Sequence, residues 1–163
     1  MDKELLEYKV LLVEDDLDVL QKVGLRLKRY FKEVYEAKDG KQGLELYKAH
    51  KPHILFVDIN LPKLSGIELL KIIREQDHTT KAVMLTAHSD VEFLLQASEL
   101  KLTKYIVKPL TRDALSETIK MLLNELGKFN IRNIQTLTLK DHFLWSFEKK
   151  ELTKDGKIVQ ISL

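Results

Sequence analysis

Polar side chains of complementary chemistry stand at the ends of four short apolar runs. The acidic pair Glu14 and Asp15 ends the first run, Asp58 the second, Thr86 the third and Lys108 the fourth. Neighbouring strands lie about 4.8 Å apart, so in a parallel sheet these side chains would meet at one edge. Two carboxylates about 4 Å apart repel by roughly 4 kcal/mol at an effective dielectric of 20, and a cation relieves that repulsion. An all-oxygen cluster of this kind suits a hard ion such as Mg²⁺.

This set of side chains has the chemistry needed for phosphoryl transfer. A carboxylate beside a cation can accept a phosphoryl group as an acyl phosphate. The reaction depends mostly on alignment and charge neutralisation, for which a lysine supplies a point charge and a threonine supplies a hydrogen bond. The sequence contains no Gly-x-Gly-x-x-Gly or Walker A motif, so no nucleotide-binding loop is indicated.

Most of these positions also have a simpler interpretation when taken alone. Asp15 or Asp16 could be the N-cap of the following helix, Thr86 a strand-end hydroxyl and Lys108 a solvated surface lysine. Asp58 has no capping role, because the next helix-start signal comes several residues later. The joint pattern, with a polar group at each of four strand ends, favours a functional site over four unrelated surface residues.

The spacing of apolar residues predicts the strands that position these groups. Continuous apolar runs at residues 10–13, 54–57, 82–85 and 105–107 are typical of strands buried on both faces of a parallel sheet. A weaker strand is predicted at residues 33–37. Five-fold alternation of strand and helix predicts an α/β fold with a doubly wound, five-stranded parallel sheet.

The segments between the strands are predicted to be amphipathic helices. Capping-box patterns at residues 65–68 and 89–92 mark two helix starts, and Asp39 or Thr111 could cap others. The apolar face of the first helix is predicted to consist of Leu17, Leu20, Val23, Leu27 and Phe31, and that of the last of Leu115, Ile119, Leu122 and Leu126.

Composition excludes several classes of protein. A chain of 163 residues with 44% hydrophobic residues can bury a sizeable core, and its net charge of +2 gives no global field for nucleic acid or membrane binding. The absence of cysteine excludes disulfides, thiolate zinc sites and cysteine nucleophiles. The apolar runs are far shorter than the roughly 20 residues that span a bilayer, and the N-terminus lacks a signal pattern. We therefore expect a soluble cytoplasmic protein with no membrane segment.

The pattern changes after about Gly127, where helical spacing ends. Four strand-like segments follow at residues 134–139, 143–148, 151–154 and 157–163, and Asp155-Gly156 is a strong hairpin signal between the last two. A segment of this length rarely folds alone without a disulfide or metal. The sequence thus predicts one domain over residues 1–127 and a small, incomplete β-segment over residues 128–163.

The strand-end motifs together resemble the receiver domain of two-component response regulators over about residues 8–126. The motifs are Leu12-Val13-Glu14-Asp15-Asp16, Val57-Asp58-Ile59-Asn60-Leu61-Pro62, Leu85-Thr86-Ala87 and Tyr105-Ile106-Val107-Lys108-Pro109. The resemblance implies a flavodoxin-like sheet of order 2-1-3-4-5, an order taken from this family, whose chemotaxis receiver is its standard example.

The resemblance also implies a role for each matched residue. Asp58 would be the phosphoacceptor, and Mg²⁺ would be ligated directly by Asp15, through water by Glu14, and by Asp58 and the backbone carbonyl of Asn60. Lys108 would contact the phosphoryl group, with a cis Lys108–Pro109 bond.

The same resemblance implies a conformational switch on the surface around residues 86–109. Thr86 would hydrogen-bond the added phosphoryl oxygen, and Tyr105 would turn inward with it. Asn60 and His88 lie two residues beyond Asp58 and Thr86, where the family tunes phosphoryl lifetime, although an ordinary exposed loop histidine is an equally good reading of His88. The protein would then function as a response regulator that is phosphorylated by a sensor histidine kinase. It would be a signalling phosphoacceptor that assists its own phosphorylation and dephosphorylation, and not an enzyme.

The tail resembles the N-terminal β-platform of OmpR/PhoB-type winged-helix effectors, through its strand-like segments and residues 149–157. The full-length protein would then bind promoter DNA. These 163 residues lack the recognition helix, so they are not expected to bind a specific DNA sequence. A homodimer is also implied, but Lys104 stands where the subfamily has an acid, so its interface would use another charge pattern or another surface.

Two other functions fit parts of the sequence. One is a stand-alone receiver that acts through protein–protein contacts without DNA binding, with the tail as a docking segment. The other is a phosphotransferase or phosphatase, which would need an Asp-x-Asp pair after the first strand. Asp16 and Asp18 have that spacing, but they lie where a helix should begin.

Overall fold

The structure, a computed structural model, describes residues 5–87 and 98–130, together with four strands between residues 136 and 158. The chain divides into two compact units, Met1–Leu122 and Leu123–Leu163, and each is described by itself. No helix of the described residues is both long enough and apolar enough to cross a membrane.

A five-stranded parallel sheet forms the centre of the first unit. The strands are β1 (Leu6–Val13), β2 (Phe31–Ala37), β3 (Ile54–Asp58), β4 (Lys81–Thr86) and β5 (Lys104–Val107). Their order in the sheet is β2-β1-β3-β4-β5. The central strands are buried along their apolar runs, with side chains of Val10, Leu11, Ile54 and Leu55 fully excluded from solvent. The predicted fold class and sheet order are confirmed.

Helices follow the first three strands and the last one. They are α1 (Leu17–Leu27), α2 (Gly40–His50), α3 (Gly66–Arg74) and α4 (Arg112–Asn130), with a 3₁₀ turn at Ser98–Leu100. Side chains cap each start: Asp16 caps α1, Asp39 caps α2, and Ser65 forms a full capping box with Glu68 on α3. The hydroxyl of Thr111 accepts from Ala114 N–H at 3.1 Å at the start of α4. The second predicted capping box, at residues 89–92, lies outside the described residues.

Two residues assigned to the apolar face of the first helix were placed wrongly. Phe31 is not helical; it begins β2 and is 1% exposed, because the chain turns after Leu27. The amides of Arg29 and Tyr30 close that turn by bonding to carbonyls three residues back. Leu17 is in the helix but 59% exposed, since it lies in the first turn.

The second unit contains a four-stranded antiparallel sheet of order β6-β7-β8-β9. The strands are β6 (Thr136–Leu139), β7 (Phe143–Ser146), β8 (Glu151–Lys154) and β9 (Lys157–Ile158). Each lies within one of the predicted strand-like segments. β8 and β9 pair antiparallel with Lys154 opposite Lys157, as expected for a hairpin, although Asp155 and Gly156 themselves lie outside the described residues.

Candidate functional site

The carboxyl ends of four adjacent strands bring the predicted site residues to one edge of the sheet. Glu14 directly follows β1, Asp58 ends β3, Thr86 ends β4 and Lys108 directly follows β5. Carboxylate oxygens of Glu14, Asp15 and Asp58 all lie within 4.8 Å of one another. The structure therefore brings together side chains that are far apart in the sequence, as predicted.

Lys108 joins two of the three carboxylates. Its Nζ lies 2.6 Å from Asp58 Oδ2 and 2.6 Å from Glu14 Oε2. The Glu14 side chain is completely buried and that of Asp58 almost so, whereas Lys108 is 25% exposed. Asp15 is exposed. When all four groups are ionised, three negative charges and one positive charge leave a net charge of −2, which equals in magnitude the charge of a divalent cation.

Burial controls the electrostatics of this cluster. Burial raises the pKa of Glu14 to about 7, against the opposing effect of its bond to Lys108. Burial by itself would lower the pKa of Lys108, but its bonds to Asp58 and Glu14 outweigh that effect and raise it. Glu14 Oε1 accepts from Asp16 N–H at 3.1 Å, whereas Oε2 meets the ammonium as an ion pair without hydrogen-bond geometry. The charge of Oε2 is thus compensated by the ammonium group of Lys108 and not by a well-aligned hydrogen bond.

The donor set fits a hard divalent cation such as Mg²⁺. Every available ligand is oxygen, from Glu14, Asp15 and Asp58, and Mg²⁺ prefers such ligands while keeping several waters. Asp58 Oδ1 accepts from Asn60 N–H at 3.0 Å, which fixes the carboxylate relative to the turn that follows β3. The net charge of −2 that remains after Lys108 is counted is a further reason for a cation to bind here.

Of the two predicted switch residues, Thr86 ends β4, whereas Tyr105 is the second residue of the neighbouring strand β5. The buried hydroxyl of Thr86 donates to Ala87 O at 2.9 Å, and Lys108 N–H bonds to Thr86 O at 2.8 Å. Tyr105 on β5 is 48% exposed. Its predicted inward turn accompanies phosphorylation and stays a prediction. The Lys108–Pro109 peptide is cis, as expected. His88, the predicted tuning residue, lies outside the described residues, while the other, Asn60, is exposed.

Gly66 at the start of α3 packs directly on the backbone of the phosphoacceptor candidate. Its N–H bonds to Ile59 O at 2.9 Å. A Cβ at this position would lie only 2.0 Å from the carbonyl oxygen of Asp58. Because a backbone atom cannot move aside as a flexible side chain can, glycine at position 66 allows α3 to lie this close to the site.

A cavity of about 530 Å³ opens beside Lys108, between α1 and the segment after β5. Lys22 and Arg26 give it a basic edge, and it is otherwise lined by Val19, Val23, Lys108, Pro109 and Leu110. Arg26 Nη1 donates to Leu110 O at 2.9 Å and so holds the segment that carries Lys108. The sequence prediction did not single out Arg26, since its spacing on α1 marks it only as a residue beside the apolar face.

Comparison with known proteins identifies the same region of the chain. Residues 10–120 match the family described as "Response regulator receiver domain". Chemotaxis protein CheY of Treponema pallidum is 39% identical over 119 residues, covering 71% of this chain and 83% of CheY. Transcriptional regulatory protein PrrA of Mycobacterium tuberculosis is 32% identical over 141 residues, covering 85% of this chain and 60% of PrrA.

A solved structure shows the same architecture. The receiver domain of AraT, a response regulator from Geobacillus stearothermophilus, aligns with a TM-score of 0.72 at 25% identity over 77% of this chain and 99% of that domain. The chain spans about 60% of the length of its PrrA relatives. The family match, covering well over half of the chain, agrees with the five-stranded sheet and the acidic cluster at its edge. This chain belongs to the response regulator receiver domain family.

Proposed function

We propose that Asp58 accepts a phosphoryl group from a sensor histidine kinase, so that this chain is the phosphoacceptor of a two-component system. The observation that carries the proposal is the convergence of three carboxylates on one point, with Lys108 Nζ 2.6 Å from Asp58. In the transfer, an Asp58 carboxylate oxygen forms a bond to phosphorus while the bond from phosphorus to the donor nitrogen breaks. The nitrogen keeps the bonding electron pair and takes up a proton.

Mg²⁺ is the proposed cofactor. Asp15 would hold it directly, Glu14 through water, and Asp58 and the backbone carbonyl of Asn60 would complete the protein's share of its ligands. When bound, the ion supplies positive charge to the phosphoryl oxygens. Lys108 orients Asp58 and supplies a second positive charge. The buried hydroxyl of Thr86, at the end of the adjacent strand, would exchange its bond to Ala87 O for one to a phosphoryl oxygen.

We propose a signalling role rather than an enzymatic one. Asp58 is itself modified, and the residues around it assist its phosphorylation and dephosphorylation, with Asn60 and His88 as the predicted tuning positions. Phosphorylation changes the charge beside Thr86, and the response would reach the surface of residues 86–109, where Tyr105 is exposed. The basic, partly apolar cavity beside Lys108 is a suitable approach for a phosphodonor, since it opens next to the site.

The output proposed for the full-length protein is control of transcription through DNA binding. What supports this proposal is that a second sheet follows the receiver, with each strand inside one of the four strand-like segments, and that the PrrA relatives are transcriptional regulatory proteins. Promoter DNA would be the partner of the full-length protein, and a homodimer stays a prediction. A receiver that acts only through protein contacts is the alternative. The similarity to CheY, 83% of whose length is matched, favours this alternative.

Mass spectrometry after incubation with acetyl phosphate and Mg²⁺ tests the phosphoacceptor. We expect one phosphoryl group on the wild-type chain and none on Asp58→Asn, because the oxygen of a neutral amide is a much weaker nucleophile than that of a carboxylate. Asp18→Asn is a matched control, since it removes an exposed carboxylate close to the cluster but outside it. Labelling of Asp58→Asn at the wild-type rate would refute the assignment.

A further inference from the structure

A second, smaller cavity lies in the first unit, between the end of α1 and the start of α4. Its volume is about 100 Å³, and it is lined by three arginines and two other residues: Arg26, Arg29, Arg112, Tyr30 and Leu115. Arg26 and Arg29 come from the last turn of α1 and the turn after it, and Arg112 is the first residue of α4. Two parts of the chain that are far apart in sequence thus place three arginines around one small concave surface, two of them, Arg29 and Arg112, exposed to solvent.

These guanidinium groups lack carboxylate partners among the residues that the structure describes. Arg26 donates from Nη1 to the backbone carbonyl of Leu110, which is neutral, and neither Arg29 nor Arg112 is in an ion pair there. Asp113 is the acid nearest to them in sequence, but it too forms no ion pair in the described part of the chain. Like charges gathered around one cavity repel one another, and a bound anion would relieve that repulsion.

The amino end of α4 adds to the positive potential in this cavity. The amino end of a helix carries about half a positive charge, and α4 begins at Arg112, on the wall of the cavity. The carboxyl end of α1 contributes about half a negative charge, which the full positive charges of Arg26 and Arg29 more than offset. The net local charge therefore favours an anion.

The size of the cavity limits the ligand. Drug-sized and nucleotide-sized ligands occupy pockets of roughly 300–1,000 Å³, so this one is too small for them. It is large enough for a few water molecules, at about 30 Å³ each, or for one small oxyanion. A guanidinium group presents a planar fork of N–H donors that matches two oxygens of a phosphate group.

We propose that the arginine cavity, lined by Arg26, Arg29 and Arg112, is a binding site for a small tetrahedral oxyanion of the phosphate class. It is separate from the acidic cluster, since none of the lining residues belongs to that cluster. Arg26 also holds Leu110, two residues after Lys108, so the bound anion would contact a side chain that supports the segment entering the phosphorylation site.

Titration of the ¹⁵N-labelled full chain with inorganic phosphate tests this site by NMR. The titration is done without Mg²⁺, and sodium chloride keeps the ionic strength constant. We expect saturable shifts that are largest at the amides of Arg29, Tyr30 and Arg112. Arg29→Gln and Arg112→Gln should each weaken binding about tenfold, because each removes a charge-assisted pair of hydrogen bonds.

Lys120→Gln is the matched control, since it removes one positive charge from an exposed position of α4 away from the cavity. Its affinity for phosphate should equal that of the wild type. Arg112→Lys keeps the charge but loses the fork, and we expect it to weaken binding less than Arg112→Gln. The proposal is overturned if Lys120→Gln and Arg112→Gln weaken binding equally. It also fails if chloride alone reproduces the shifts, or if the largest shifts fall at Thr86 and Lys108.

Discussion

Lys108 sets the charge balance of the acidic cluster. Its ammonium group contacts both Glu14 and Asp58 at 2.6 Å, and one of these carboxylates is completely buried. Without a cation, this one positive charge is the main compensation for two buried negative ones. A bound metal ion would take over part of that task. The stabilising effect of Lys108 should therefore depend on whether Mg²⁺ is present.

Lys108→Met tests this dependence. Without Mg²⁺, we expect a loss of roughly 1–3 kcal/mol in the free energy of unfolding. This is less than the 3–5 kcal/mol of a fully buried pair, because solvent reaches part of the lysine side chain. Saturating Mg²⁺ should recover most of that loss, since it supplies the missing positive charge. Urea unfolding with and without Mg²⁺ measures both values.

Lys63→Met is the control for Lys108→Met. Lys63 pairs with Asp39 at 3.3 Å, but its side chain is 65% exposed, so its removal should cost less than about 1 kcal/mol with or without Mg²⁺. If Lys108→Met lost the same free energy in both conditions, the carboxylates it contacts would not be the ones that bind the metal.

The three consecutive acids after β1 show what residue types can and cannot predict. The sequence indicated an acidic cluster there and left the N-cap to Asp15 or Asp16. In the structure Glu14 is buried and contacts Lys108, Asp15 is exposed next to Glu14, and Asp16 caps α1. Composition cannot separate these roles, because they depend on the residue at which the strand ends and on the direction in which each following side chain points.

At the scale of the elements, the close approach of α3 to the site depends on Gly66. Gly66→Ala would place a methyl group against the carbonyl oxygen of Asp58, so either α3 or the end of β3 must shift. We expect a loss of about 1–3 kcal/mol in the free energy of unfolding and about a tenfold slower phosphorylation by acetyl phosphate.

Gly127→Ala is the matched control for Gly66→Ala. That helical glycine has open space around its Cβ position, so alanine should stabilise the protein by about 0.5–1 kcal/mol. Equal effects of the two substitutions would contradict the packing argument.

Asp77 connects α3, α2 and the start of β4 through one carboxylate. It accepts hydrogen bonds from Tyr47 Oη at 2.6 Å, from Thr79 N–H at 2.8 Å and from Thr80 N–H at 3.1 Å, and also from the hydroxyls of Thr79 and Thr80. Partial burial by itself would raise the pKa of Asp77, but these bonds outweigh it and hold the pKa well below its usual value of 3.8. The folded state therefore binds a proton at Asp77 less readily than the unfolded state does.

The sign of this shift predicts how Asp77 contributes to stability at different pH values. Above about pH 4–5 both states are ionised and the stabilising contribution is complete, and it is lost as the pH falls through the unfolded and then the folded pKa. Asp77→Asn cannot titrate, so it should be less stable than the wild type near neutral pH, and the difference should shrink below about pH 4. Urea unfolding from about pH 3 to pH 6 measures this difference. A difference that did not change with pH would mean that the charge of Asp77 contributes nothing.

Helix and strand boundaries were the least predictable part of the elements. Phe31 continues the apolar spacing of α1 and was assigned to it, yet it starts β2. Spacing alone does not detect the turn at residues 28–30, which contains no glycine or proline. The existence of the strands was predictable, because the central runs of β1, β3 and β4, at residues 10–13, 54–57 and 82–85, are buried on both faces and are therefore continuously apolar.

For the whole molecule, the alternation of elements predicted the fold class, while the sheet order came from family resemblance. The order cannot be derived from apolar patterns, because every central strand has the same pattern and would fit any interior position. The edge location of the acidic cluster was predictable, because all strand ends of a parallel sheet point the same way. The contact of Lys108 with both Glu14 and Asp58 was not predictable, since it depends on which strands are neighbours in the sheet.

The division into two units gives a prediction about how a metal ion acts on the whole chain. All carboxylates of the cluster lie in the unit Met1–Leu122, and the chain's one tryptophan, Trp145, lies in the unit Leu123–Leu163. Mg²⁺ that binds only the folded cluster should stabilise the first unit by about 2.7 kcal/mol at a concentration one hundred times its Kd. Circular dichroism reports mainly on the helices, most of which belong to the first unit, and tryptophan fluorescence reports on the second unit.

On urea unfolding, Mg²⁺ should therefore move the transition seen by circular dichroism to a higher urea concentration and leave the fluorescence transition in place. Asp58→Asn should abolish most of the shift by weakening metal binding. If both transitions moved together, the two units would unfold as one and the metal would stabilise the entire chain.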